Sequence, residues 1–214
     1  NTFFAEGIKN TLIIAFFSVL LGTVFGTLMA MLRMSKVKPL RYLATAYIEF
    51  IRGTPLMVQL MFIFYGLPMT GIKLPDISWI PNFSRFVAGI VAMSMNSCAY
   101  VAEIIRSGIQ AVDHGQTEAA RSLGFRQSQT MTMVVLPQAV KNILPALGNE
   151  FVTVIKESSI VSVIGIADLM FRSKDVIAVV FEALQARAIA QRVRRHAGSL
   201  LAQDRIEPGL RAAL

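Results

Sequence analysis

Long apolar runs separated by short polar connectors set the pattern of this chain. The stretch Thr11–Leu32 contains no charged residue, and at about 1.5 Å per residue a helix of that length crosses a hydrocarbon core of about 30 Å. The pattern therefore predicts a first transmembrane helix. Within it, Gly22 and Gly26 have the spacing of small residues that lets two membrane helices approach closely.

Three further apolar runs predict three further spans. They are Leu43–Gly66, Phe86–Ile105 and Met131–Ile155, and the connector between the first two of them holds Trp79, an expected interfacial anchor. Ser158–Ala167 is also apolar but is too short to cross a bilayer, so it favours a re-entrant or interfacial segment.

The end of the chain has a different pattern. Ile177–Leu184 begins another apolar run, but arginines at positions 187, 192, 194, 195 and 205 follow. These charges leave no room for a full fifth span, and residues 181–214 are expected to form a basic tail or a helix on the membrane surface. We therefore expect a membrane domain over residues 1–180, with a cytoplasmic loop at about residues 107–130.

Composition and charge agree with a membrane protein. Hydrophobic residues make up 54% of the chain and charged residues only 16%, against about 25% charged in soluble domains. The net charge of +8 could indicate a nucleic-acid partner, but the bases lie in connectors such as Arg33, Lys36, Lys38 and Arg41. That placement marks a cytoplasmic loop and predicts an N-terminus on the outside, with no nucleic-acid partner.

The sequence offers little for catalysis or for metal binding. One cysteine, Cys98, and two histidines cannot build a disulfide framework or a Cys/His metal cluster; we expect Cys98 to be a packing residue and His114 a surface residue. No nucleophile with a base is evident, and no GxxxxGK[ST] phosphate-binding motif occurs. The chain is therefore predicted not to be an enzyme.

One motif lies in the polar segment between the third and fourth spans. Asp113 is suited to cap a short helix there and Gly124 to end it. Glu118-Ala119-Ala120 is followed by three residues, Gly124, nine residues and then Val-Val-Leu-Pro at positions 134–137. This spacing resembles the EAA loop of ATP-binding-cassette importer permeases, with Val134 in place of the usual isoleucine.

Such a loop seats a short helix in a groove of a soluble ATPase. Small Ala119 and Ala120 permit close approach, while Glu118 and Arg121 offer polar contacts at the rim. Gly124 lets the chain turn without side-chain strain. ATP-driven closure of the ATPase would then move the docked helix and the spans as a rigid body.

Further stretches resemble the permeases for polar amino acids within that family. They are residues 7–12 (GIKNTL), 49–60 (EFIRGTPLMVQL), 96–108 (NSCAYVAEIIRSG), 115–124 (GQTEAARSLG), 136–145 (LPQAVKNILP) and 156–165 (KESSIVSVIG). The resemblance implies an all-α polytopic bundle of about five transmembrane helices in a bacterial inner membrane. It also implies a second permease subunit, a dimer of ATPase subunits that bind the ATP, and an external solute-binding protein. The permease itself then needs no cofactor.

Polar residues inside spans are candidates for substrate binding, because they are expensive in lipid unless they face partners or a water-filled cavity. Asn96, Tyr100 and Glu103 share one face of the third span, and Glu103 could hold a substrate ammonium group. The alternative is an ion pair between Glu103 and Arg106. Glu150 in the fourth span adds a second acid, which favours a basic amino acid as substrate.

The interruption of the second span is a second candidate. Pro55 frees a backbone carbonyl, and broken helices at membrane depth commonly line transport sites. Arg52 could meet a substrate carboxylate; alternatively the break is a structural kink and Arg52 pairs with Glu49 or snorkels. A channel or scaffold without an ATPase is the alternative reading of the whole chain.

Overall fold

The computed structural model describes residues 2–77 and 81–211, and the side chains of residues 4–77 and 81–192. The described backbone is helical and contains no strand. Trp79, the expected interfacial anchor, lies outside the described residues. The chain divides into two units, residues 1–171 and residues 172–214.

The helices of the first unit follow the predicted runs. The first is α1 (Thr2–Arg33), and a broken pair, α2 (Lys38–Gly53) and α3 (Leu56–Met69), is bent by 104°. The third run forms α4 (Phe83–Gln110). The all-helical membrane fold is thereby confirmed: of the described helices, two are long and apolar enough to cross a membrane, or three if the bent pair is one span.

The rest of the first unit begins with the short helix α5 (His114–Ser122). After α6 (Gln127–Thr130), a π-helical turn at Met131–Val135 leads into α7 (Leu136–Glu157), which occupies the place of the fourth predicted span. Lys141 and Glu150 make α7 less apolar than α1 or α4.

The short apolar segment after α7 forms a 3₁₀ helix, Ser158–Ile164. Val161, Ile164 and Ile166 are buried in one core cluster with Ile14 of α1 and Leu60 of α3. A hydrogen bond also connects the end of this segment to α1, because the Asn10 side-chain amide donates to the carbonyl of Ala167 at 2.9 Å. The segment therefore packs inside the bundle instead of crossing it.

Glycine residues permit a close crossing between α1 and α4. A Cβ atom placed on Gly26 would lie 2.7 Å from Cβ of Val101 and 2.9 Å from the carbonyl oxygen of Cys98. One on Gly22 would lie 2.8 Å from Cβ of Ser97. The predicted small-residue contact therefore exists. The opposite side of α1 exposes large apolar residues: Phe16, Leu20, Val24, Leu28.

One long helix, α8 (Leu169–Arg211), begins at the end of the first unit and makes up most of the second. It contains the arginines that were expected to prevent a full fifth span, and α8 is not among the helices apolar enough to cross a membrane. The basic tail is therefore helical as far as residue 211. Its predicted role on the membrane surface stays a prediction.

Candidate functional site

The helix α5 is closed at both ends by the residues that the sequence pattern indicated. The Asp113 carboxylate accepts a hydrogen bond from the Gly115 backbone N–H at 2.6 Å. At the other end the N–H of Phe125 reaches the carbonyl of Ala120 at 3.2 Å, and the N–H of Gly124 reaches that of Arg121 at 3.0 Å. This pair of bonds is the Schellman motif, and Gly124 has the positive φ of 87° that the motif requires.

The side chains of α5 divide into an inner and an outer set. Ala120 is 5% exposed and faces the bundle, whereas Glu118, Ala119 and Arg121 are exposed. A side-chain bond connects α5 to the first turn of α7, since the Gln138 amide donates to that of Gln116 at 3.4 Å. α5 and α7 are therefore in direct side-chain contact.

Two apolar residues of this loop were missed in the sequence. Leu123 is 80% exposed and Phe125 is 38% exposed, one on each side of Gly124. In an otherwise polar loop, apolar residues that flank a helix-ending glycine could have indicated a contact surface. Together with Ala119 they give α5 an apolar tip.

The break between α2 and α3 is held by a residue that sequence reasoning did not select. Pro55 has no N–H, so the carbonyl of Ile51 loses its usual helical partner. The Gln59 amide replaces it by donating to the Ile51 carbonyl at 2.8 Å and to the Thr54 carbonyl at 3.1 Å. Gln59 is 8% exposed and also accepts from the Asn96 amide at 3.3 Å. A polar residue one turn after a mid-span proline was the available signal.

An ionic cluster connects the ends of α1, α2 and α4. The Glu103 carboxylate accepts from Arg33 at 2.7 Å and from Arg106, and Arg52 lies 3.9 Å away. Arg33 also donates to Glu49 at 3.0 Å. Three guanidinium groups therefore share two carboxylates, which leaves an excess of one positive charge.

The predicted substrate residues lie in three groups along α4. Arg52 stacks over the Tyr100 ring at 5.4 Å and approaches Glu103, so these three residues are brought together. Asn96 lies with Gln59. Glu150 is 9% exposed and accepts from Ser97 at 3.0 Å.

The sequence left open whether Glu103 pairs with Arg106 and whether Arg52 pairs with Glu49, and the structure bears on both alternatives. Glu103 does pair with Arg106, while Glu49 pairs with Arg33 and not with Arg52. Among the described residues, Arg52 has the longer contact to Glu103 and the stacking on Tyr100 as its only partners. Of the three arginines around Glu103 it is the most exposed, with 36% of its side chain accessible against 17% for Arg33 and 27% for Arg106.

Comparison with known proteins defines the class of this chain. The sequence profile of the family described as "Binding-protein-dependent transport system inner membrane component" matches residues 22–179, and the chain belongs to this family. It is a component of a transport system of the inner membrane. Membership disfavours the alternative of a channel or scaffold.

Individual relatives are similar over most of their length. The arginine transport system permease protein ArtQ of Bacillus subtilis (strain 168) is 41% identical over 189 residues, which cover 88% of this chain and 82% of that protein. The putative glutamine transport system permease protein GlnP of Rickettsia conorii is 45% identical over 175 residues, covering 81% and 76%.

A solved structure is also similar in sequence and fold. It is described as the crystal structure of an amino acid ABC transporter with histidines, and it is 49% identical to this chain with a TM-score of 0.77. The match covers 84% of this chain and 80% of that one.

Proposed function

We propose that this chain is the permease subunit of an ATP-driven importer, and that α5 is the part that docks on the ATPase. The observation that carries the proposal is the geometry of α5. It is a short, capped helix with an exposed small and apolar tip, connected to α7 through Gln116 and Gln138. A passive channel has no need of such a projection. ATP is bound by the partner ATPase dimer, and the permease pairs with a second permease subunit.

The ATPase is proposed to lie on the cytoplasmic side, with the N-terminus of the permease outside. The connector after α1 carries Lys36, Lys38 and Arg41 without an acid, which the positive-inside rule places in the cytoplasm. Two crossings follow from there, the bent pair α2–α3 outward and α4 inward, and they bring the chain back to the cytoplasmic side at α5. An external solute-binding protein then delivers substrate to the opposite side.

Co-purification with the ATPase tests the docking role. We expect Gly124→Asp to lose the ATPase, because an aspartate at φ 87° strains the Schellman turn and adds a charge to the tip. The matched control is Gly71→Asp: Gly71 also has a positive φ, 89°, and an added Cβ would meet nothing within 4 Å at either glycine. Unchanged ATPase association in the Gly124 variant would count against docking at α5.

The substrate is proposed to be a polar amino acid, with a basic one favoured. The relatives named above are arginine and glutamine permeases. We assign Arg52 and Tyr100 to the carboxylate end of the substrate, since Arg52 is the guanidinium of the ionic cluster that is least engaged by acids. Asn96 and Glu150 are assigned to its polar or cationic end. Glu103 is retained as a candidate whose carboxylate is already shared by arginines.

Uptake measurements across amino acids test this assignment. We expect Glu150→Gln to reduce uptake of arginine more than uptake of glutamine, because only the cationic substrate loses a charge partner. Arg52→Gln is the matched variant at the other end and is expected to reduce both, since both substrates carry the carboxylate. A preference of the unmodified transporter for glutamate would contradict the proposal that the substrate is a basic amino acid.

A further inference from the structure

A cavity of about 260 Å³ lies on the side of the bundle between α1, α2 and α4. Its α1 wall consists of Leu21, Phe25 and Met29, which are four residues apart and so lie along one face. Phe25 is 53% exposed and Leu21 is 37% exposed, so the cavity opens to the outer surface of the bundle. Sites for whole drug-sized ligands measure about 300–1,000 Å³, and this cavity therefore fits part of a larger molecule.

The polar groups of the cavity wall are already used within the chain. The Tyr47 hydroxyl donates to the carbonyl of Met95 at 3.0 Å, and the Ser94 hydroxyl donates to that of Ile90 at 2.5 Å. The only other polar atom in the wall is the Cys98 thiol, which is a weak donor. An occupant would find almost no hydrogen-bond partner, so the wall is suited to hydrocarbon.

The cavity lies toward the basic end of α1. Met29 is four residues, or about 6 Å along the helix, from Arg33. Beyond Arg33, the side chains of Lys36, Lys38 and Arg41 are exposed. Within the described residues, no carboxylate lies within 4.0 Å of their charged groups. These three cations therefore have no acidic partner from the described part of the chain.

We propose that this cavity binds an acyl chain of an anionic phospholipid, whose headgroup lies against Lys36, Lys38 and Arg41. Basic residues next to a transmembrane helix attract anionic headgroups, and the cavity supplies the apolar half of the site at the matching depth. A second copy of the chain is a poorer occupant, because a two-fold contact through this face would bring two basic connectors together. The site is separate from the proposed substrate and ATPase sites.

Quenching of a single tryptophan by brominated lipids tests the proposal. In a Trp79→Phe background, Phe25→Trp places the probe in the cavity wall. The full chain, with the subunits that co-purify with it, is reconstituted in mixtures of phosphatidylglycerol and phosphatidylcholine in which one lipid carries bromine on its acyl chains. We expect the relative binding constant at position 25 to favour phosphatidylglycerol by about threefold or more, given three cations that have no acidic partner among the described residues.

Two matched controls make the result specific. Leu28→Trp places the probe within one turn of Phe25, on a residue that is 51% exposed but outside the cavity, and should show no preference between the lipids. The variant K36Q/K38Q/R41Q should lose the preference at position 25, whereas K9Q/K73Q/K141Q, which removes the same charge elsewhere, should keep it.

Three outcomes would overturn the proposal. Equal quenching by both lipids at position 25 would contradict the proposed contact between the lipid headgroup and the basic residues. An equal preference at positions 25 and 28 would show general enrichment of the anionic lipid and no site. Absence of quenching by either lipid at position 25 would show that protein covers the cavity. A second measurement needs no tryptophan: phosphatidylglycerol that co-purifies with the otherwise unmodified chain should fall in K36Q/K38Q/R41Q.

Discussion

At the scale of single residues, Gln59 connects the helix break between α2 and α3 with a neighbouring helix. It serves the carbonyls of Ile51 and Thr54 at the helix break and the amide of Asn96 on a neighbouring helix. A buried carbonyl without a partner costs about 1–3 kcal/mol. The bend between α2 and α3 is therefore stabilised by a side chain and not by proline alone.

Gln59→Leu should destabilise the fold without changing its surface. We expect a loss of about 1–3 kcal/mol, because leucine fills the space but removes the Gln59 donor to the Thr54 carbonyl. The Ile51 carbonyl keeps weaker contacts to the Thr54 N–H at 3.4 Å and the Thr54 hydroxyl at 3.3 Å. Thermal unfolding of the purified chain measures this loss of stability. Asn142→Leu is the control, since Asn142 is exposed on α7 and the same kind of exchange there should leave the midpoint unchanged. A Gln59 variant as stable as the wild type would show that other groups satisfy the break.

Glu103 presents a different question at the same scale, namely whether its carboxylate stabilises the fold or holds substrate. We expect Glu103→Gln and Arg33→Gln each to lower stability by about 1–3 kcal/mol, the range for hydrogen bonds to charged groups, because each leaves partly buried partners unpaired. Thermal unfolding measures this effect, with Asp76→Asn in an exposed loop as the control.

Uptake per folded molecule then separates the two roles of Glu103. A structural role predicts that both variants transport normally once corrected for the amount of folded protein. A ligand role predicts a loss in Glu103→Gln that Arg33→Gln does not share. Equal stability of Glu103→Gln and the wild type would contradict the ionic cluster as a stabilising element.

At the scale of helices, the crossing of α1 and α4 is limited by Gly26. We expect Gly26→Ala to cost about 1–3 kcal/mol, the usual cost of overpacking, because the new Cβ meets Val101 and the backbone of Cys98. Gly148→Ala makes the same exchange inside α7, where nothing lies within 4 Å, and should be neutral or stabilising by about 0.5–1 kcal/mol. Unfolding of both variants in detergent tests the contrast, and equal effects would contradict a close crossing.

The helices themselves could be predicted from the sequence, because each follows from local information. An uncharged run has the length of a span, and Pro55 and Gly124 mark a break and an end. The contacts between residues at the candidate site could not be predicted, since they join residues that are far apart in the sequence. Arg33 lies 70 positions before Glu103 and Gln59 lies 37 before Asn96, and with a single sequence no local pattern connects such residues.

At the scale of the whole molecule, the proposed mechanism requires α5 and the α3–α4 connector to lie on opposite sides of the membrane. α4 separates them as one continuous helix of 28 residues, which at about 1.5 Å per residue is longer than the hydrocarbon core. The orientation itself follows only from the distribution of basic residues, so it is a prediction that labelling must decide.

Cysteine labelling determines the orientation directly, because Cys98 is the only cysteine and lies buried. In a Cys98→Ala background, Lys73→Cys should react with a membrane-impermeant maleimide in intact cells, and Ala119→Cys only in inside-out vesicles; both positions are exposed. The Cys98→Ala protein should remain unlabelled in both preparations. If Ala119→Cys reacted in intact cells, α5 would face away from the ATP supply, and docking on an ATPase would be impossible at that helix.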